Sequence, residues 1–167
     1  MKAQVQEKMK HSVMLAAPHT SNWDLPIALA AFWVMEIDLR YFIKSDYTEG
    51  IFGRFFKWTG AIGVTRGQKN NLTEYAIELL QKHKMVLMVP AEGTRKRVEK
   101  WRTGFYRIAR EARVPVSLGT LDYKNKCANI LEVMDLTGHF EKDMQAIQEH
   151  YENIQGKYPE NYNPKIY

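Results

Sequence analysis

Short apolar runs alternate with stretches of helical period along the chain. Residues 12–18 read as a first strand and residues 39–45 alternate with the period of two that a half-buried strand requires. Between them, Ser21 or Asn22 is the expected N-cap of a helix running to about Met35. Asp24 would stand in the first turn of that helix, where a negative charge suits the dipole, and Pro26 is tolerated there. Residues 51–58 predict a short aromatic and basic helix ending at Gly60, residues 61–65 a further strand, and residues 72–84 an amphipathic helix with Leu72, Tyr75, Ala76, Leu79 and Leu80 on one face. Residues 85–90 predict a buried strand, and a helix follows over about 103–112. Residues 114–123 and 128–136 pair as two late strands across the turn at Lys124, Asn125 and Lys126, and residues 140–155 form a closing amphipathic helix. The Pro- and Asn-rich segment 159–167 reads as a loose tail. Alternation of this kind predicts one α/β domain over residues 1–167, with a core of about 12–136 and a mixed, mostly parallel sheet flanked by helices.

Composition narrows the function without choosing it. A chain of 167 residues, 45% hydrophobic and 26% charged, is large enough for a real core and is not a disordered sequence. The formal charge of +5 and an isoelectric point near 9.2 favour acidic partners such as phosphates or anionic headgroups. Nucleic acid fits less well, because the aromatics do not interleave with the basic loop as a stacking platform requires. The single cysteine, Cys127, excludes an internal disulfide, fits a reducing compartment and reads as a packing residue. No secretory signal is visible, and the longest apolar run, 25–35, falls short of the roughly 20 residues that span a bilayer. The expected location is cytoplasmic, peripheral on the inner face of a membrane.

Two polar clusters each follow an apolar run. The first is His19-Thr20-Ser21-Asn22-Trp23-Asp24 and the second Glu92-Gly93-Thr94-Arg95. Neutral histidine is the side chain best suited to deprotonate a hydroxyl near pH 7, and a carboxylate on its other nitrogen fixes the tautomer. The spacing of His19 and Asp24 permits that contact; Asp24 as a mere helix cap is the alternative. Gly93 allows close approach or a positive φ, Arg95 offers a planar fork for phosphate, and Glu92 is placed to hold that arginine or accept from a substrate hydroxyl. Lys96, Arg97, Lys100 and Arg102 follow, as an anion-binding loop or a solvated one. Arg66, at the end of the run from Gly63, reaches the same pocket or stays on the surface.

These residues resemble the glycerolipid acyltransferase family, of lysophosphatidic acid type. The cluster from His19 to Asp24 is similar to its His-x4-Asp block, Gly63 to Arg66 to its second block, Glu92 to Arg95 to its Glu-Gly-Thr-Arg block, and Val114-Pro115-Val116 to its fourth. Thr65 stands where the family often has aspartate, Pro90-Ala91 where it usually has Phe-Pro, and Ser117-Leu118-Gly119 in place of a longer Val/Pro/Ile alternation. The resemblance implies a glycerol-3-phosphate acyltransferase-like fold and transfer of a fatty acyl chain from acyl-CoA or acyl-carrier protein to a lysophospholipid-type hydroxyl. The acceptor it favours is 1-acylglycerol-3-phosphate, in phospholipid synthesis. It implies His19 as general base, Asp24 as its orienter, and Arg66, Glu92, Gly93, Thr94 and Arg95 as the acceptor site. It implies no covalent acyl-enzyme, no metal and no cofactor beyond the acyl donor. The rival readings are the same chemistry on an amino-acid lipid of lyso-ornithine type, a non-catalytic module for anionic lipid or nucleic acid, and a metal-dependent hydrolase built on His19, Asp24 and Glu92.

Aromatic and basic residues share the segment Phe52, Arg54, Phe55, Phe56, Lys57 and Trp58, which suits either an interfacial anchor or a core helix. Phe32 and Trp33 are expected in the core. His139, Glu141, Asp143 and His150 lack a compact ligand spacing, so a metal site there is not expected.

Overall fold

Each run read as a strand becomes a strand of one sheet. A computed structural model describes residues 3–65, 67 and 71–165. The elements in chain order are α1 (Ala3–Met9), β1 (Ser12–Ala16), α2 (Asp24–Val34), β2 (Leu39–Lys44), α3 (Ser45–Glu49), α4 (Gly53–Trp58), β3 (Ala61–Val64), α5 (Leu72–Lys82), β4 (Val86–Pro90), α6 (Gly104–Ala112), β5 (Val116–Asp122), β6 (Cys127–Met134) and α7 (Phe140–Tyr151). The six strands lie in the order β3-β2-β4-β1-β5-β6. All neighbouring pairs are parallel except β5 and β6, which form the expected late antiparallel hairpin.

The period of two in the strands divides the core in two. Val13 and Leu15 of β1, Leu87 of β4 and Leu118 of β5 face α5, α6 and α7, packing with Leu80, Phe105 and Ile147. Met14 and Val86 point to the opposite face, where Ala28, Leu29 and Phe32 of α2 cover them together with Met9 of α1. The chain after β1 leaves for α2 on one face, and the chain after β4 leads to α6 on the other. These two strands are neighbours, paired from Ser12 with Val86 to Ala16 with Pro90. Their carboxyl ends therefore flank a crevice at a switch point, where α/β sheets bind their ligands.

Several expectations need correction. Neither Ser21 nor Asn22 caps α2: the residue before the helix is Trp23, with no side-chain cap bond, because the turn is organised around the Asp24 carboxylate. A helix at Ser45–Glu49 was not anticipated, being short and polar, although its Thr48 is buried. Trp33 is not in the core but half exposed, since Ala28, Leu29 and Phe32 occupy the inward face of α2. The segment after α7 is a strap, not a loose tail. Tyr162 is buried, Trp101 donates through Nε1 to the Asn163 carbonyl at 2.9 Å, and Asn163 donates through Nδ2 to the carbonyls of Val98 and Glu99. α7 itself ends at Tyr151, and the chain beyond it turns back instead of continuing the helix to 155.

Candidate active site

His19 lies in the loop after β1, and Asp24 is the first residue of α2. The turn is held from within. One oxygen of Asp24, Oδ2, accepts the backbone N–H groups of Thr20 (2.8 Å) and Ser21 (2.9 Å) and stands 3.2 Å from His19 Nδ1. Its other oxygen accepts the hydroxyl of Tyr123 at 2.7 Å. Burial alone would disfavour the Asp24 charge, but these hydrogen bonds, led by His19 and Tyr123, outweigh it and hold the carboxyl below the usual aspartate range. An ionised carboxylate only accepts, so Nδ1 is the donor of the pair, and in a neutral ring the lone pair then falls on Nε2. Nε2 has no intramolecular partner among the described residues, and His19 stays partly exposed.

Glu92 opens the loop after β4. It is 2% exposed, and its Oε1 accepts the backbone N–H of His19 at 3.1 Å. Burial pushes its carboxyl above the usual glutamate range, partly offset by the His19 amide, and Oε2 has no hydrogen-bond partner. Glu92 thus couples the two loops, with no hydrogen bond or ion pair to an arginine side chain among the described residues. Gly93 has φ +65°, a left-handed conformation that favours glycine. Thr94 and Arg95 line a shallow cavity of about 660 Å³ with Thr20, Asn22 and Tyr158. Arg66 lies outside the described residues.

The larger cavity, of about 990 Å³, is lined by both His19 and Asp24. One limb runs under α2, between Leu25, Ala28 and Phe32 on the helix and Met14, Met88 and Ile130 on the sheet. Gly93, Arg102, Thr103 and Thr120 also line the cavity, and the buried Thr120 hydroxyl has no partner. The cavity therefore joins an apolar slot to a polar mouth at His19.

Two contributors escaped the reading of the sequence, and a third, Arg102, was read only as one of a basic loop. Tyr123 looks like the end of a strand, yet it reaches Asp24 99 positions away. Arg102 is one of a run of basic residues until the fold turns it to the cavity. The strap carries no motif, but Tyr158 N–H donates to Thr20 Oγ1 at 3.2 Å, and the Gln155 carbonyl accepts from Tyr123 N–H. A Cβ on Gly156 would come within 2.8 Å of Thr20 Oγ1, so the strap lies tight against the histidine loop.

Elsewhere, His150 pairs with Glu132 at 2.6 Å and Asp143 accepts from Thr137, Gly138 and Tyr106, so both side chains have structural partners. Cys127 is half-buried and accepts from Asn129.

A mostly parallel α/β sheet with a carboxylate-held histidine and a cavity at the switch point marks the chain as a candidate enzyme. The family model for Acyltransferase matches residues 2–117, more than half of the sequence, and the chain belongs to this glycerolipid acyltransferase family. A search of curated proteins and one of solved structures returned no significant match.

Proposed function

We propose that the protein transfers a fatty acyl chain from the thioester of acyl-CoA or acyl-carrier protein to the hydroxyl of a lysophospholipid-type acceptor, 1-acylglycerol-3-phosphate being the favoured one. The observation that carries this reading is the His19–Asp24 pair at the mouth of a cavity with an apolar limb. His19 Nε2 takes the hydroxyl proton as the acceptor oxygen attacks the thioester carbon. The C–S bond then breaks, and the imidazolium returns the proton to the departing thiolate. Asp24 holds the ring and balances its transient charge. The limb under α2 takes the acyl chain. The chemistry itself needs no metal and no cofactor beyond the acyl donor.

The substrates call for a membrane surface. No helix among the described residues is long and apolar enough to cross a bilayer. Ile51, Phe52, Phe55 and Trp58 are exposed around Arg54 and Lys57, and Trp33 of α2 packs against Trp58 with ring centroids 5.0 Å apart. An aromatic and basic patch of this kind suits peripheral contact with anionic lipid on the inner face of a membrane. The proposed location is accordingly cytoplasmic.

Thiol release from palmitoyl-CoA in the presence of lysophosphatidic acid tests the chemistry. Release requires the acceptor and falls roughly 10⁴-fold in His19→Ala. Acceptor-independent release, or a fully active His19→Ala, would sink the reading. Co-sedimentation with vesicles containing phosphatidylglycerol tests the surface: the double variant Phe52→Ser/Trp58→Ser stays in the supernatant where the wild type pellets. Equal pelleting of the two would remove the patch from the account.

A further inference from the structure

The cavity at His19 has walls on both faces of the sheet. β2 pairs with β4 from Leu39 with Val86 to Tyr41 with Met88. Beyond that point each strand stays with its other neighbour, β4 with β1 to Pro90 and β2 with β3 to Lys44, so the two part toward their carboxyl ends. Residues on either side of the parting line the cavity: Tyr41 and Met88 before it, Phe42 and Val89 after it. By the strand period of two, Tyr41 and Met88 belong to the α2 side of the core, and Phe42 and Val89 to the side of α5 and α6. A second limb therefore lies on the far face, where Leu72 and Thr73 of α5 and Gly104 and Phe105 of α6 line the same cavity.

The far limb has room in it. A Cβ built on Gly104 would have no neighbour closer than Thr73 Oγ1, at 4.0 Å, among the described residues. At Gly93 and Gly119, which line the same cavity, a Cβ would stand 2.6 Å and 2.9 Å from a neighbour. Those two glycines are required by close packing, whereas the space at Gly104 is open. The whole cavity, at about 990 Å³, stands at the top of the roughly 300–1,000 Å³ that hold a single small ligand. A reaction between two chain-bearing lipids must bring their polar ends to one base while both chains stay out of water. One cavity with an apolar limb on each face, and His19 in its lining, meets that demand, because the sheet keeps the chains apart.

We propose that the far limb, between the parted strands and the first turns of α5 and α6, takes the acyl chain that the acceptor already carries. The donor chain then lies under α2, on the other face. The assignment rests on the acyl-transfer reading for the identity of the two chains. It makes Gly104 a specificity-determining position: the acceptor class is a lipid with one chain in place, and the limb favours a longer chain over a shorter one.

Kinetics of the full chain with hexanoyl and myristoyl lysophosphatidic acid, below their micelle concentrations, and with hexanoyl-CoA and palmitoyl-CoA as donors test the assignment. Gly104→Leu fills the far limb, and Ala31→Leu fills the limb under α2, whose lining includes Ala31. The wild type prefers the longer acceptor. In Gly104→Leu that kcat/KM preference falls about tenfold, as expected when about two methylenes lose their apolar contacts, and the preference for the longer donor survives. Ala31→Leu shows the opposite pattern. The inference is overturned if the wild type does not distinguish the two acceptors, or if Gly104→Leu costs the donor preference, both preferences equally, or neither. Calorimetric titration with the two acceptors alone separates this result from the acyl-transfer reading. Chain-length-dependent binding that Gly104→Leu removes, without turnover of any thioester, would break that reading and leave the far limb as a lysolipid site. Turnover whose acceptor preference ignores Gly104→Leu would do the reverse. Circular dichroism, with Gly104→Ala keeping the wild-type preference, separates a filled limb from lost folding.

Discussion

The loops after β1 and β4 meet at one crevice, and each is rooted on a buried carboxylate. Asp24 is 5% exposed and Glu92 is 2% exposed. There the likeness ends. Asp24 collects two backbone amides, a tyrosine hydroxyl and an imidazole, and its carboxyl is held below the ordinary range. Glu92 has one amide and a bare oxygen, and burial drives its carboxyl above the ordinary range. Burial opposes the charge in both cases; the number of donors decides the outcome. The first loop thus favours a negative charge behind a histidine. The second keeps an acid under strain of desolvation, where it braces the same histidine through the backbone.

The comparison can be broken where its effect is largest. Asp24→Asn removes the charge that fixes the His19 tautomer and lowers kcat roughly 10²-fold, with a much smaller change in KM. Tyr123→Phe removes one hydrogen bond to an ionised group and lowers kcat about tenfold. If Tyr123 acts only through Asp24, Tyr123→Phe costs nothing further in the Asp24→Asn background. Simple additivity in this double-mutant cycle would show that Tyr123 does something else.

The smallest effect concerns stability, and its sign differs between the two acids. Asp24 has a lowered folded-state pKa, so its contribution is present above the usual aspartate range and is lost as pH falls through the depressed value. Glu92 has a raised one, so the folded state gives up stability as pH rises through that value and the buried group ionises. Urea denaturation from acid to neutral pH should therefore show Glu92→Gln gaining on the wild type as pH rises, whatever the constant offset between them. Parallel curves for the two proteins would mean that Glu92 does not carry the desolvation described.

Much of this was legible in the sequence. The apolar runs gave all six strands with ends shifted by no more than about two residues, since buried parallel strands read as continuous hydrophobic segments. His19 and Asp24 were readable as a pair because the contact is local. The sidedness of α2 was not readable: residues 24–34 are apolar almost throughout, so no stripe distinguishes inward Phe32 from outward Trp33. Glu92 was recognisable as important but not as a brace, because its partner is a backbone amide 73 positions away. Tyr123 and the strap failed for the same reason. A strand-end tyrosine and a Pro/Asn-rich segment look alike whether or not they touch something distant.

The strap has a consequence for how the molecule comes into being. Tyr158 reaches back 138 positions to Thr20, Tyr123 reaches 99 to Asp24, and Asn163 reaches 65 to Val98. Such closures are the slow part of folding, because chain entropy must be surrendered before the contact repays it. The sheet needs closures of the same order, Ser12 with Val86 and Val13 with Val116, so the histidine turn is completed by contacts as non-local as the sheet itself. On refolding, ellipticity from the sheet and the completed histidine turn would therefore return together.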